Sequence, residues 1–409
     1  MDEGLNWAAA AIPVFLGATV IEAWIGKRRG KRIYSFGTAI SDLACGSVFQ
    51  AVELLLKLAT LGAYVWLFEN HRLVDWGEHS WVPWLLGMIG VDFLFYWWHR
   101  VSHVVNVMWA VHGVHHQSED YNLAVALRQP IFEPITWFLF YGLLALLGVP
   151  PLVYILSYAV NRFYQFWIHT ELVDKAGTVA EAVLNTPSHH RVHHGVDENY
   201  LDRNYGAILI VWDRLFGTFQ PEEQHPTYGT TIPLRSYNPL WANVQHLARC
   251  WTLAKLATRW RDKVWVWFAH PAWLPEGVKD PAVKPDRTAY EQYHPRVPRP
   301  LKRYILLHFV LAGSAMGVVV FFEHSFSVLQ LAAASAVMVA AFGAFLGLVE
   351  GKRWARPLEL ARLAGFVMVS HWLLTHVSGL GATAVQAITA GTAALCALSL
   401  LLLRPAPRE

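Results

Sequence analysis

Histidines are the residues of this chain whose type and spacing point most directly to chemistry. The 409 residues include 20 histidines, and ten of these lie between positions 99 and 194. Their arrangement is His99-x3-His103, His112-x2-His115-His116, a single His169, and His189-His190-x2-His193-His194. Residues three and four apart share one face of a helix. Three of these groups are therefore predicted to project two or three imidazoles each from one side of a helix.

Metal binding is the chemistry that such groups indicate. Burying this many polar rings is costly unless their nitrogens bind a partner. One tetrahedral zinc takes four ligands, so eight or nine convergent imidazoles predict two ions. Imidazole suits Fe, Zn, Cu and Ni, so ligand type alone leaves an oxidative pair, a hydrolytic zinc pair and structural metal open. Isolated histidines such as His225, His246 and His270 are interpreted as ordinary core or surface residues.

The composition indicates a membrane protein. Hydrophobic residues make up 55% of the chain and charged residues only 15%, against about 25% charged residues in soluble proteins. The net charge of +3 is small and dispersed, and no basic stripe suggests nucleic acid as a partner. The three cysteines, Cys45, Cys250 and Cys396, are far apart, which excludes a disulfide framework and a thiolate zinc site.

Apolar stretches predict an all-α, polytopic transmembrane helical bundle. A span needs about 20 residues, and the clearest candidates are 6–26, 42–68, 81–98, 304–322, 327–349 and 382–403, with a shorter one at 363–379. Two further apolar segments between Ile131 and Ile168 are hinged on Pro150-Pro151, which predicts a helical hairpin that spans or re-enters the membrane.

Basic residues predict which way the spans run, because Lys and Arg accumulate in short cytoplasmic loops. The run at 27–32 places the end of the first span inside, and counting spans from there returns His99 and the basic loop around Lys352 to the same side. The histidine-rich site is therefore expected at the cytoplasmic ends of spans. Fe(II) has a reducing compartment and a supply of electrons there, which favours an iron pair that uses O2 to attack a lipid alkyl chain. A membrane metal-binding or transport protein, the alternative of another class, would hold its ligands inside spans.

Four regions are predicted along the chain. N-terminal transmembrane helices occupy 1–80, a catalytic domain 81–240, a membrane-proximal cytoplasmic segment 241–300, and C-terminal transmembrane helices 301–409. Within the third region, five tryptophans at 241–270 stand among basic residues. This pattern is typical of an amphipathic helix at the membrane surface, and packing onto the catalytic domain is the alternative.

The histidine motifs and their flanks resemble one known family. The blocks are His-Arg-Val-Ser-His at 99–103, the run 115–123, Ala126 to Gln129, Tyr164 to Glu171, Asn185 to Gly195, Asp202 to Tyr205, and Trp212 to Thr218. With its HxxxH motif and two HxxHH motifs, the chain resembles the fatty acid hydroxylase and sterol desaturase superfamily, most closely the branch that cleaves glyceryl ether lipids. The strong resemblance covers about 90–240.

The resemblance implies a set of site residues. The metal ligands it implies are His99, His103, His112, His115, His116, His190, His193 and His194, with His169 as a ninth, and no catalytic side chain beyond the ligands. Where one branch of the family has a further HxxxH, this chain has Gln165, so that Gln165, a water or His189 would complete the coordination. Asp197 and Asn204 are expected to orient imidazoles, and Glu171 is a further candidate for the surroundings of the metals.

The resemblance also implies cofactors, partners and a reaction. These are two non-heme Fe ions, O2, and an external reductant, either tetrahydrobiopterin or a small electron-transfer protein. The expected reaction is hydroxylation of a lipid alkyl chain, with ether cleavage if the attacked carbon adjoins an ether oxygen, and the alternative is a sterol or fatty acyl desaturase or hydroxylase. One departure concerns the substrate, because the ether-cleaving branch is expected to have Glu where this chain has Val104.

Overall fold

Helices supply the regular structure of the protein. The computed structural model describes residues 7–77, 79–282, 285–286, 290–377 and 379–403, and these contain sixteen α-helices and no β-strand. The first eight are α1 (Trp7–Arg28), α2 (Phe36–His71), α3 (Val82–Val104), α4 (Asn106–His116), α5 (Leu123–Ala126), α6 (Glu133–Leu146), α7 (Pro151–Trp167) and α8 (Thr178–Val183). The others are α9 (Pro187–His193), α10 (Val211–Leu215), α11 (Pro239–Leu256), α12 (Trp260–Trp265), α13 (Arg299–Phe321), α14 (Val328–Val349), α15 (Ala355–Leu374) and α16 (Ala382–Ser399).

The all-α prediction is confirmed for the described residues. Two isolated bridges, Leu184 with Leu209 and Gly195 with Tyr228, are the only β-type pairings among the described residues. Residues 1–6 and 404–409, at the ends of the first and last predicted regions, lie outside the described residues. The boundaries of the four regions stay predictions.

Helix α2 belongs to two hydrophobic cores. Its first half, with Ala44 and Val48, packs with Phe342 and Phe345 of α14 in the core formed by α13 and α14. Its second half places Tyr64 in the core of α3, α6 and α7. Helix α2 therefore connects the C-terminal bundle, which contains α13 and α14, to the helices that carry the histidines.

Two helices meet at Pro150-Pro151, as the sequence predicts, and their place in the membrane stays a prediction. Helix α6 ends at Leu146 and α7 begins at Pro151, where the fixed φ of proline suits the first turn of a helix. Both helices pack on α3, since Trp137 and Val153 share a core with Val91 and Phe95. The hairpin therefore supports the helix that supplies the first histidine motif.

Among the described residues, four helices are long and apolar enough to cross a membrane. They are Phe36–Leu56, Arg299–Phe321, Val328–Val349 and Ala382–Leu403, which overlap the spans predicted at 42–68, 304–322, 327–349 and 382–403. The stretches predicted at 6–26, 81–98 and 363–379 form helices α1, α3 and α15 but are not among these four. The chain is an integral membrane protein.

Most tryptophans of the segment 241–270 lie at the surface of the protein. Trp241 and Trp251 on α11 are 42% and 55% exposed, and Trp260 and Trp265 on α12 are 71% and 53% exposed. Trp267 packs instead beside Leu253 and Val266. Four of the five rings are thus exposed, which fits a segment at the membrane surface.

A close approach of α2 to the loop after α5 gives the first testable prediction. A Cβ on Gly46 would lie 2.1 Å from the carbonyl oxygen of Leu127, whereas one on Gly62 of the same helix meets nothing within 4 Å. Gly46→Ala is expected to force the two segments apart at a cost of about 1–3 kcal/mol and to lower the melting temperature in detergent. Gly62→Ala is the matched control, and its better helix propensity should leave the melting temperature equal or higher. Equal melting temperatures for the two variants would contradict the close contact.

Candidate metal centre

Nine histidines converge in two groups in the structure. One contains His99, His103, His112, His116 and His193, the other His115, His169, His190 and His194, and within each group the ligand atoms all lie within 4.8 Å of one another. All nine side chains are buried, with exposed fractions of 2–8%. These are the nine residues that the family resemblance implies as metal ligands. Their division into two groups fits a site for two ions.

Helical spacing explains the division into two groups. On α4, His112 and His116 are four residues apart and share the first group, whereas His115 lies in the second. Around α9, His190 and His194 are four residues apart and share the second group, whereas His193 lies in the first. Residues four apart project in nearly the same direction, so each of these two segments contributes to both groups.

The outer nitrogen of several imidazoles is fixed by a backbone carbonyl. The Nδ1–H of His99 donates to Tyr205 at 2.8 Å and that of His193 to Arg203 at 2.9 Å. In the second group, the Nδ1–H of His115 donates to Arg128 at 3.1 Å and that of His169 to Gln165 at 2.7 Å. A neutral imidazole that donates from Nδ1 carries a lone pair on Nε2. These contacts therefore set the tautomer that a metal ligand needs.

The inner nitrogens face one another at distances that fit metal ligation. The Nε2 atoms of His115 and His169 are 3.1 Å apart, and both carry lone pairs, so no hydrogen bond can join them. The Nε2 atoms of His169 and His190 are 2.9 Å apart, and those of His99 and His112 are 2.8 Å apart. Two nitrogens bound at right angles to one ion at about 2.1 Å would be about 3 Å apart.

Buried nitrogens without a protein partner support the same conclusion. The Nε2 atoms of His103 and His194 are buried and have no hydrogen-bond partner in the described structure. A buried polar atom left unpaired is costly. The two groups thus fit a pair of cations, which would satisfy these atoms and the facing lone pairs together.

Burial favours the neutral form of the imidazoles, which is the form that can bind a metal ion. It lowers the pKa of His115, His116, His190, His193 and His194 well below 6.5, and the neighbouring imidazoles lower it further. Burial lowers the pKa of His169 to about 3. Protonation of one ring would place a positive charge beside its neighbours.

One loop, 202–206, orients three of the five imidazoles in the first group. Its Arg203 and Tyr205 carbonyls hold His193 and His99, and the Asp202 Oδ1 atom lies 3.6 Å from His103 Nδ1. Asp202 and Asn204 have φ of 58° and 55°, a left-handed conformation that Asp and Asn tolerate better than most residues. This backbone path turns the two carbonyls toward the histidines.

Asp213 and Asn204 hold that loop in place. The Asp213 carboxylate accepts the backbone N–H groups of Tyr205 and Gly206, both at 2.7 Å, and the Thr218 hydroxyl at 2.6 Å. The Asn204 amide donates to the carbonyls of His189 and Gln220, at 3.0 and 2.7 Å. Asn204 therefore acts on the imidazoles through the backbone rather than by a direct contact.

A buried arginine holds in place the carbonyl that orients an imidazole of the second group. Arg128 donates to the Val114 carbonyl at 2.6 Å, to Asp42 at 3.1 Å and to Gln117 at 3.0 Å, which ties α2 and α4 together. Its own carbonyl accepts from His115. The guanidinium thus fixes the position of the carbonyl that orients His115.

The other residues expected around the metals are placed differently. Asp197 accepts the Thr227 N–H at 2.7 Å, Glu171 lies 3.2 Å from His225, and His189 Nε2 lies 3.1 Å from Glu181. These three side chains thus contact residues outside the two groups. Gln165 contributes its backbone carbonyl to His169, while its side-chain amide donates to Asn161 at 2.6 Å.

Two cavities meet the histidines from different sides. A cavity of about 1320 Å³ is lined mainly by apolar residues of α1, α2, α7 and α13, and His99, His112, His115, His169 and His190 form part of its wall. A second cavity of about 260 Å³ is reached by His103, His116, His193 and His194. Val104 lines neither cavity. The histidine cluster thus separates an apolar compartment from a more polar one.

The polar cavity contains residues that the sequence did not single out. His270 Nε2 lies 3.2 Å from Asp202, His246 Nε2 donates to Asn106 at 2.7 Å, and Arg249 pairs with Asp280 at 2.6 Å. His246 and His270, which the sequence marks only as isolated histidines, both line this cavity. Their isolation in the sequence gives no signal, because the fold alone brings them to the cluster.

The loop contacts predict an effect on metal retention. Asp213→Asn replaces one acceptor oxygen with an N–H donor that faces a backbone N–H, so the carbonyls of Arg203 and Tyr205 should lose their positions. Loss of such supporting contacts typically weakens metal binding by about 10–100-fold. Metal analysis after dialysis against a graded chelator series checks this, with Asp197→Asn as the matched control. Equal retention by the two variants would contradict the assigned role of the loop.

Comparison with known proteins identifies the family. A model of the fatty acid hydroxylase family matches residues 84–218, the part of the chain that holds all nine histidines. The ornithine lipid hydroxylase of Rhizobium tropici is 29% identical over 149 residues, which cover 33% of this chain and 41% of that protein. No solved structure matches the chain significantly.

Alkylglycerol monooxygenases match over a longer part of the chain. The Homo sapiens protein is 39% identical over 278 residues, which cover 67% of this chain but only 62% of that relative, less than two thirds of its length. The Danio rerio protein is 34% identical over 382 residues, which cover 91% of this chain and 83% of the relative. The chain therefore belongs to the fatty acid hydroxylase superfamily and, within it, to the family of the alkylglycerol monooxygenases.

Proposed function

We propose that this protein is a membrane-bound di-iron monooxygenase that oxidises the alkyl chain of a lipid, with glyceryl ether lipids as the first candidate substrates. The observation that carries the proposal is the double histidine cluster, which forms part of the wall of a large apolar cavity. The nine histidines are the proposed ligands of two ions. The names of the relatives, alkylglycerol monooxygenase and ornithine lipid hydroxylase, support a lipid substrate.

Iron is proposed because the apolar cavity suits a substrate that offers C–H bonds. Attack on such bonds needs O2 and a redox metal, and iron would supply the reductive activation of O2 when bound. The balanced reaction consumes O2, two electrons and two protons, and forms one alcohol and one water. If the oxidised carbon adjoins an ether oxygen, the hemiacetal product collapses to an aldehyde and a glycerol.

The protein's own residues position the lipid and exclude water. The apolar cavity reaches the outer surface at α7, where Leu156, Val160 and Phe163 line it and are 43–49% exposed. An alkyl chain can enter there directly from the surrounding lipid. The buried wall at Phe95 and Trp98 closes the cavity around His99, which keeps the reacting carbon away from bulk water.

The reductant is proposed to approach through the polar cavity. A hydrophilic donor cannot share a lipid-filled compartment, and the cavity of about 260 Å³ beside His103 and His193 offers a separate route. A reduced pterin such as tetrahydrobiopterin would fit inside it, and a small electron-transfer protein would dock over its mouth. We further propose that this side of the cluster faces the cytoplasm, as the basic loops predict.

Lipid-dependent oxygen uptake is the direct test of this function. Protein loaded anaerobically with Fe(II) and supplied with a reductant should consume O2 when hexadecyl glyceryl ether is added and should release hexadecanal. His115→Ala and His193→Ala, one from each group, are expected to lower the rate at least about 100-fold, because each removes a proposed ligand. His225→Ala, a histidine outside the cluster, should keep the rate.

Each outcome of that test separates one alternative from another. Oxidation of a fatty acyl lipid or sterol in place of the ether would support the proposed oxygenase activity but would contradict ether lipids as its substrates. Uptake that is independent of lipid, or unchanged in both histidine variants, would contradict the proposed function. Rapid exchange of the bound metal with free ions, without any turnover, would favour metal transport.

A further inference from the structure

Polar side chains interrupt the apolar cavity at one place. Gln50 and Glu53 on α2, Gln129 before α6, Glu133 on α6 and Arg162 on α7 all line the cavity, and they are called the polar patch here. Glu133 is 2% exposed, and the other four are half-buried. Charged and amide groups are expensive in apolar helices of a membrane protein and are usually retained for function.

The patch is connected from one helix to the next. The Gln50 amide donates to Glu53 at 3.3 Å. Arg162 donates to the Gln129 side chain at 2.6 Å and lies 3.4 Å from the Glu133 carboxylate. Glu53 acts electrostatically on both Glu133 and Arg162. Helices α2, α6 and α7 therefore contribute to a single polar surface.

This surface lies beside the second histidine group. Gln129 directly follows Arg128, whose carbonyl accepts from His115. Arg162 lies close enough to His115 and His169 to act on them electrostatically. The cavity wall therefore passes from the metal ligands to the polar patch and then to the apolar residues of α1, α7 and α13.

The charges of the patch limit what it can bind. Arg162 is the only Lys or Arg among the described residues that line the cavity, and it already pairs with Glu133. Glu53 adds a second carboxylate. A phosphate would meet two carboxylates without a free cation, whereas hydroxyl groups can donate to carboxylate and amide oxygens and accept from amide N–H groups.

We infer that the polar patch binds the uncharged, hydroxyl-bearing headgroup of the lipid, with Gln50 and Glu53 as the residues that determine headgroup specificity. When the headgroup is bound at the patch, the alkyl chain can extend along α1 and α7. The carbon next to the headgroup then lies against His115 and His169. The identity of the ligand rests on the proposed function. Recognition of the headgroup does not require turnover and is tested separately from it.

The test compares the binding of three lipids that share one alkyl chain. These are hexadecyl glyceryl ether, hexadecyl methyl ether without hydroxyls, and phosphorylated hexadecyl glyceryl ether, each titrated into purified protein without O2 or reductant. Glu53→Gln and Gln50→Leu should weaken binding of the glyceryl ether about tenfold each, as expected for a lost hydrogen bond to a charged or amide group. Binding of the methyl ether should not change, and the phosphorylated lipid should bind at least tenfold more weakly to the unmodified protein.

Ser47→Ala is the matched control. Ser47 lines the same cavity on the same helix, but its hydroxyl donates to the Leu43 carbonyl at 2.8 Å, so this variant should bind all three lipids normally. If Glu53→Gln weakened the binding of the glyceryl and methyl ethers equally, the patch would have a structural role and the inference would be wrong. Unchanged binding, or tighter binding of the phosphorylated lipid, would also contradict the inference. Selective weakening without any oxidation would uphold the binding site and refute the proposed reaction.

Discussion

The lone pairs of buried histidine nitrogens converge at the centre of this protein. The surrounding structure depends on how these lone pairs are satisfied. The Nε2 atoms of His115 and His169 are 3.1 Å apart, and their Nδ1 atoms already donate to carbonyls. Without a cation between them, the two lone pairs would repel. The arrangement therefore fits a metal site, and the fold serves to hold the outer nitrogens.

The supports of the two histidine groups come from different parts of the chain. The first group depends on the loop 202–206, which Asp213 fixes through two hydrogen bonds. The second depends on Arg128, which joins α2 to α4 through Asp42 and Gln117. Because α2 also packs against α14, the C-terminal bundle supports the cluster without supplying a ligand.

The sequence predicted the features that follow from local spacing. The groups 99–103, 112–116 and 190–194 could be assigned to helix faces because four-residue spacing is a property of the helix, and the hairpin followed from Pro150-Pro151. Spacing did not reveal that His115 and His193 would each join a different group from their helical neighbours. That division depends on how α3, α4 and α9 pack, which is set by contacts distant in sequence.

The supporting residues were the hardest to predict. Asn204 was expected to orient imidazoles, and its amide contacts the carbonyls of His189 and Gln220 rather than a ring nitrogen, whereas Asp197 contacts Thr227. The carbonyls of Arg203 and Tyr205 leave no signal in the sequence, because every residue has one and only the left-handed path at Asp202 and Asn204 directs them. The two cavities, and with them the polar patch on α2, α6 and α7, likewise exist only in the folded chain.

Mössbauer and X-ray absorption spectra of protein reconstituted anaerobically with iron test the central claim most directly. The proposed di-iron function predicts that the two histidine groups hold two high-spin Fe(II) ions per chain, each surrounded by imidazole nitrogens at about 2.1 Å, and that O2 oxidises these ions in step with the addition of lipid. A single ion per chain, or two ions that keep a tetrahedral zinc-like geometry and do not react with O2, would contradict it.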